Sequence, residues 1–153
     1  MTDSKDISLD LVLRCQSSVE EVCVMITRLE QVLDKTEVPA AQRQDAALVL
    51  TEALTNIARH GYNSQPVGQI TCRVTLSRDG LDCCITDHGR AFDPSGLGQS
   101  SPPPEILAEG GYGWFLIRRL TTGLEYQRHD GQNILRFRIP GTPADMPAAA
   151  GIS

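Results

Sequence analysis

The sequence predicts a two-layer α/β (α+β) sandwich: a mixed, mainly antiparallel sheet with helices on one face. Three observations lead there. Five short segments alternate apolar and polar residues with period two, the pattern of half-buried strands. Two Asp-Gly dipeptides, Asp79-Gly80 and Asp130-Gly131, join four of those segments into hairpins. Between the first and second strand segments lie two stretches of helical periodicity, and a short one follows the first hairpin. With 153 residues the chain has the length of one domain. The expected domain covers residues 1–140. Residues 141–153 are rich in Pro, Ala and Gly and are expected to be a disordered tail.

Taken in order, Ile7, Leu9, Leu11 and Leu13 alternate with polar neighbours and predict an opening strand. Ser17 and Ser18 precede Glu20 and Glu21, a helix-start signal. Val19, Val22, Ile26, Leu29 and Leu33 then recur at helical spacing, predicting an amphipathic helix that ends near Lys35. Pro39 suits the first turn of a second helix, from about residue 39 to His60, with Gly61 as its stop. Ile70, Cys72, Val74 and Leu76 alternate, and Leu81, Cys83 and Ile85 return after Asp79-Gly80 to end at Asp87. Residues 88–110, with four Gly and four Pro, are too long for an idle connection, and 94–109 is expected to act as a lid. Trp114 to Leu120 predicts a short helix. Leu124 and Tyr126 begin one more strand, and Asn133, Leu135, Phe137 and Ile139 complete the second hairpin.

Composition narrows the function classes. No window approaches 18 apolar residues, so no membrane-spanning helix is expected. The N-terminus, MTDSKDISLD, lacks the basic and apolar regions of a signal peptide, which points to the cytoplasm. The net charge of −5 argues against a direct nucleic-acid binder. Residues 110–138 nevertheless carry Arg118, Arg119, Arg128, Arg136 and Arg138 against Glu125 and Asp130. That surface suits a phosphate-bearing ligand or an acidic partner, or is simply a set of exposed strand positions. Of the cysteines Cys15, Cys23, Cys72, Cys83 and Cys84, four fall at or near apolar positions. An odd count without a CxxC pair supports neither a zinc site nor a disulfide framework, and structural thiols are expected.

Three segments carry chemistry. In Thr51-Glu52-Ala53-Leu54-Thr55-Asn56-Ile57-Ala58-Arg59-His60-Gly61-Tyr62, the residues Glu52, Asn56 and His60 are four apart and are expected to stack on one helix face. An amide one turn beyond a carboxylate suits Mg²⁺ chemistry, with the amide oxygen on the cation and the carboxylate as proton acceptor. A solvated polar stripe would look the same. In Ile85-Thr86-Asp87-His88-Gly89-Arg90-Ala91, an acidic residue ends a buried strand before a Gly-containing turn. Asp87 there is able to accept from a ligand amino group, although Asp-x-Gly is also a common turn. In Glu109-Gly110-Gly111-Tyr112-Gly113-Trp114, three Gly open a helix. Backbone N–H groups at such a start form an anion site, and a flexible hinge is the other reading. The chain contains neither a P-loop nor the protein-kinase Gly-rich and catalytic-loop motifs.

In this order and spacing the three segments resemble the boxes of the histidine-kinase-like ATPase (GHKL) superfamily, whose members share the Bergerat nucleotide-binding fold. Within it the chain is most similar to the anti-sigma factor serine kinases of bacterial partner-switching systems. GGYGWFLIRRLTTGLEYQRHDGQNILRFRIP, from Gly110 to Pro140, is similar to that subfamily throughout, and the likeness spans roughly residues 7–140. The dimerisation helices and phospho-acceptor His segment of a sensor kinase are missing.

The resemblance implies ATP and Mg²⁺ as cofactors. It makes Glu52 the general base for a protein hydroxyl and Asn56 the ligand that holds Mg²⁺ on the triphosphate. Asp87 would bind the adenine amino group, with Gly89 behind the ring. Gly110, Gly111, Tyr112 and Gly113 would surround the phosphates, and Arg59, one turn beyond Asn56, lies within reach of the nucleotide. The adenine box of the family often reads Asp-x-Gly-x-Gly; Ala91 replaces its second Gly here. The implied partners are an anti-anti-sigma factor as phosphorylation substrate and a sigma factor or similar regulator held inactive, with a homodimer left open. Two alternatives remain: an ATP-binding sequestering module without kinase activity, and a mechanical ATPase, which the short chain disfavours.

Overall fold

The computed structural model describes residues 7–62, 68–77, 79–91 and 112–141. The elements are β1 (Ile7–Gln16), α1 (Val19–Leu33), α2 (Ala40–Asn56), β2 (Gln69–Ser77), β3 (Gly80–Asp87), α3 (Tyr112–Leu120), β4 (Thr122–His129) and β5 (Gln132–Pro140). The expected lid and most of the expected tail lie outside the described residues.

The strands form one sheet in the order β1-β2-β3-β5-β4. Every neighbouring pair is antiparallel, so the sheet is not mixed among the described strands. Period two decides its faces. On β2, Ile70, Cys72 and Val74 are buried while Thr71, Arg73 and Thr75 are not. The inward set continues through Leu81, Cys83 and Ile85 on β3 and Leu135, Phe137 and Ile139 on β5. Helices cover that face. Val22, Met25, Ile26, Leu29 and Leu33 of α1 join Val49, Leu50, Ala53 and Leu54 of α2 and Ile117 of α3 in one core. Leu50 and Leu54 are wholly buried. Burial of each contributes about 1.5–3 kcal/mol relative to exposure.

Local signals account for most boundaries. Ser18 caps α1, its hydroxyl accepting from the Glu21 N–H at 3.2 Å. Pro39 does not sit in the first turn of α2. It is the extended residue just before it, and Ala40 is the first helical position. The second hairpin turns through Asp130 (φ 52°) and Gly131 (φ 76°), the pair of left-handed conformations that a two-residue hairpin needs.

The second helix departs from expectation at its end. It stays α-helical to Asn56 and then widens into a π-helical turn, Ile57–Gly61. Glu52 and Asn56 therefore keep their i, i+4 relation. His60 lies beyond the change of period and is exposed, so the expected three-residue stack stops at two.

The other sheet face carries polar cross-strand pairs. Arg73 forks onto Asp10 (Nε to Oδ1 2.9 Å), which holds the Asp10 carboxyl below its ordinary range. Arg138 Nε reaches Asp82 Oδ1 at 2.6 Å, and Arg136 donates to Gln127 at 3.2 Å. Three cysteines, Cys15, Cys72 and Cys83, are buried, Cys84 is half-buried and Cys23 is exposed; all five are free thiols. Among the described residues no helix is long and apolar enough to cross a membrane.

Candidate functional site

The C-terminal end of α2, the end of β3, the start of β5 and the first turn of α3 meet at one edge of the sandwich. Glu52 and Asn56 point from α2 toward the start of α3. A Cβ built on Gly113 would lie 2.5 Å from Glu52 Oε1 and 3.5 Å from Asn56 Nδ2. Glycine at 113 thus lets the helix start lie directly against this pair. Two of the three sequence segments are brought together by that contact.

Asn56 is buried, and its Nδ2 has no hydrogen-bond partner among the described residues. An orphaned buried amide is costly unless a ligand completes it. A half-turn of the amide places its oxygen in the same spot, where a hard cation would be accepted. No cluster of three or more His, Cys, Asp or Glu side chains suited to a metal occurs among the described residues. The residues present therefore fit Mg²⁺ that brings its remaining oxygen ligands with it, as a nucleotide complex does.

The middle segment builds the neighbouring wall. Asp87 ends β3 at 3% exposure. Its Oδ1 accepts from the Gly89 N–H at 2.8 Å and from Asn133 Nδ2 at 2.9 Å. A small hollow of about 20 Å³ lies beside it. Asp87, Gly61 and Ile57 line it with Trp114 of α3 and Tyr126, Asn133 and Leu135 of β4 and β5. Ile57 and Trp114 adjoin Asn56 and Gly113 in sequence, so the hollow beside Asp87 and the Glu52–Asn56–Gly113 contact lie at the same ends of α2 and α3.

The turn after Asp87 is fastened to the end of α2. Arg90 N–H donates to the Gly61 carbonyl at 3.1 Å, and its guanidinium donates to the His60 carbonyl at 3.0 and 3.2 Å. His88 N–H donates to Tyr62 Oη at 2.7 Å. Burial raises the Tyr62 phenol above its ordinary pKa, opposed by the His88 hydrogen bond. The missing side chain of Gly89 faces Gly61: a Cβ there would lie 2.8 Å from the Gly61 carbonyl oxygen. Glycine is required at 89 for this backbone-on-backbone approach.

The remaining sequence candidates are less engaged. Arg59 is exposed on the π-helical turn, and Ala91 is exposed at the end of the described turn. Gly110 and Gly111 lie outside the described residues, and of Tyr112 the backbone alone is described, as the first residue of α3. The arginines of residues 110–138 do not form one patch. Arg136 and Arg138 lie on the open sheet face, whereas Arg128 turns to the site and donates to the Gly89 carbonyl at 3.1 Å.

Four participants escaped the motif reading: Asn133, Arg128, Tyr126 and Tyr62. Asn133 was visible in principle. It is a polar residue in phase with Leu135, Phe137 and Ile139, hence on the buried face. A larger hollow, about 630 Å³, lies elsewhere, on the open sheet face around Arg73, Cys84 and Arg136. It contains no residue of the three segments, and the concave curl of a twisted sheet accounts for it.

Comparison with known proteins agrees with this fold. The histidine kinase-like ATPase domain profile matches residues 15–139. Serine-protein kinase RsbW of Oceanobacillus iheyensis is 31% identical over 98 residues, 60% of this chain and 62% of that protein. Serine-protein kinase RsbW of Bacillus cereus (strain AH187) is 27% identical over 129 residues, 80% of each chain. The crystal structure of the RsbU and RsbW domains of Rv1364c from Mycobacterium tuberculosis superposes with a TM-score of 0.62 at 15% identity, covering 90% of this chain and 34% of that one. That likeness concerns the fold. From the matched profile, spanning most of the sandwich and all three segments, it follows that the chain belongs to the histidine kinase-like ATPase domain family.

Proposed function

We propose that this protein is a cytoplasmic ATP-dependent protein serine kinase and anti-sigma factor. It phosphorylates an anti-anti-sigma factor and, bound to ATP, sequesters a sigma factor or comparable regulator. The observation that carries the reading is the meeting of Glu52, Asn56 and the Gly113 helix start at the ends of α2 and α3 that also border the hollow beside buried Asp87. The similarity to serine-protein kinases named RsbW supports it.

In this reading Asp87 accepts a hydrogen bond from the adenine amino group. Asn56 offers its amide oxygen to Mg²⁺, and the α3 start around Tyr112 and Gly113, with Gly110 and Gly111, receives the phosphates. Bound Mg²⁺ supplies charge neutralisation along the triphosphate. Glu52 takes the proton of the attacking Ser (or Thr) hydroxyl. The Ser oxygen–phosphorus bond forms as the bond from the γ-phosphorus to the β,γ-bridging oxygen breaks, and ADP leaves. Arg59 and Arg90 add positive charge at the rim, which favours a polyphosphate.

A second reading, an ATP-binding sequestering module without transfer, draws support from one contact. The Glu52 carboxylate lies over Gly113, against the backbone of α3, and must move to meet a substrate hydroxyl. The two separate in one experiment. Labelled ATP is incubated with the protein and the candidate partners encoded beside its gene, following phosphate on the partner and complex formation with the regulator. Asn56→Ala is expected to lose Mg·ATP binding and transfer together. Glu52→Ala is expected to keep nucleotide binding and sequestration while transfer falls by about 10²–10⁴-fold. Wild type that binds ATP and its regulator yet phosphorylates no partner would leave the sequestering module standing.

A further inference from the structure

The hydrogen bonds behind Asp87 run in one direction. Asn133 Oδ1 accepts from Arg128 Nη1 at 2.8 Å and from the Tyr126 hydroxyl. Its Nδ2 faces the other way, donating to Asp87 Oδ1 at 2.9 Å, the Arg90 carbonyl at 3.1 Å and the Gly89 carbonyl at 3.2 Å. An amide side chain is ordinarily free to take either orientation. Here it is not, because a guanidinium has five donors and no acceptor. Arg128 on one side, and Asp87 Oδ1 with the Gly89 and Arg90 carbonyls on the other, fix the Asn133 oxygen toward Arg128 and the NH₂ toward Asp87.

The consequence appears on Asp87. Its Oδ1 is occupied by two donors, the Gly89 N–H and the Asn133 amide. No described residue donates to Oδ2, and Asp87 lines the hollow between α2 and β5. The carboxylate is held in one rotamer with an acceptor left over for a ligand. Adenine presents an exocyclic amino donor at its 6-position, whereas guanine presents a carbonyl acceptor there. Two acceptors face to face repel and leave buried polar atoms unpaired, the kind of mismatch that discriminates strongly.

We propose that Arg128, acting through Asn133, is a positioning and specificity residue that holds the Asp87 carboxylate with Oδ2 toward the ligand and so selects adenine over guanine nucleotides. The inference rests on the adenine role proposed for Asp87. Without Arg128, Asn133 loses the guanidinium that anchors its oxygen and the Gly89 carbonyl loses a donor, so the amide holds Asp87 Oδ1 less firmly. A carboxylate free to rotate no longer sets Oδ2 toward the ligand's amino group, and the discrimination against guanine weakens.

The test is calorimetric titration of Mg·ATP and Mg·GTP into wild type, Arg128→Met, Arg128→Lys, Asn133→Ala and Asp87→Asn, with melting curves for each. Wild type is expected to prefer ATP. Arg128→Met is expected to narrow the ATP/GTP affinity ratio by about tenfold, the loss of one charge-assisted hydrogen bond's orienting effect. Arg128→Lys keeps a donor and should restore most of the ratio. Asn133→Ala should behave as Arg128→Met, which covers the case of one poorly folded variant. If Arg128→Met and Asn133→Ala weaken ATP and GTP equally while Asp87→Asn alters the ratio, the two residues are merely structural and the proposal is overturned, with the adenine role of Asp87 intact. If the ratio is unchanged even in Asp87→Asn, the adenine role itself fails and this inference with it.

Discussion

Gly61 and Gly89 touch, yet alanine at the two positions should have opposite consequences. A Cβ on Gly89 would lie 2.8 Å from the Gly61 carbonyl oxygen and 3.0 Å from its carbonyl carbon and Cα. All three are backbone atoms, so no side chain can swing aside. The backbone on both sides is tied: Gly89 by its bonds to Asp87, Asn133 and Arg128, and Gly61 by the Arg90 N–H. Relief must come from separating the α2 end from the β3 turn, which stretches these bonds together. Overpacking of this kind typically costs about 1–3 kcal/mol. A Cβ on Gly61 meets its nearest atoms at 3.7–3.9 Å, ordinary contact distances. With no steric cost, Gly61→Ala should be neutral or stabilise by up to about 1 kcal/mol through the unfolded chain. Urea unfolding followed by circular dichroism gives both values. Equal costs at the two positions, or a Gly89→Ala cost below about 0.5 kcal/mol, would refute the assignment of Gly89 to backbone packing.

Two further outcomes can be checked directly. Asp87→Asn replaces one acceptor oxygen by a donor facing the expected adenine amino group, and ATP affinity measured by calorimetry should fall by about 1–3 kcal/mol; an unchanged affinity would remove Asp87 from the nucleotide site. Burial pushes the Cys15 thiol up to about 11 and Cys72 up to about 12, and raises Cys83 well above its ordinary value. Because the thiolate is the reactive form, these three should stay unmodified near neutral pH, while exposed Cys23 is labelled rapidly by iodoacetamide. Mass spectrometry of the native protein after brief labelling checks this, and early modification of Cys72 would contradict the packing.

Much of the architecture was legible because burial on one face imposes period two on strands and a stripe on helices. Ile70, Cys72 and Val74 could not be inward without Thr71 and Arg73 being outward. The Asp-Gly turns were legible for a similar reason, since few other residues accept the backbone angles of Asp130 and Gly131. Parts of the site were not. The π-helical turn at Ile57–Gly61 leaves no mark in apolar spacing, and it takes His60 out of line with Asn56. Arg128 and Tyr126 lie on an edge strand and look like ordinary surface and half-buried positions. Their role depends on register, which sets Arg128 opposite Asn133 and Asn133 opposite Asp87. Nothing local encodes that double pairing. Gly89 was legible only as the turn glycine placed behind the adenine ring; that a glycine is needed there for contact with Gly61 comes from tertiary structure.

The strand order has a kinetic consequence. Two hairpins, β2–β3 and β4–β5, close through short turns and are microsecond events when isolated. The β3–β5 seam joins them across the whole connection between the hairpins, and β1 pairs with β2 only after two helices have intervened. Non-local pairings of this kind form late, after their loop-closure entropy has been met. Asp87 and Asn133 sit at one end of the β3–β5 seam, each on a different hairpin. A nascent chain holding β1, both long helices and the first hairpin has Glu52, Asn56 and Asp87 in place along its length, yet Asp87 has no Asn133 to hold it. Asp87 therefore gains its Asn133 contact only when the C-terminal hairpin docks on the first.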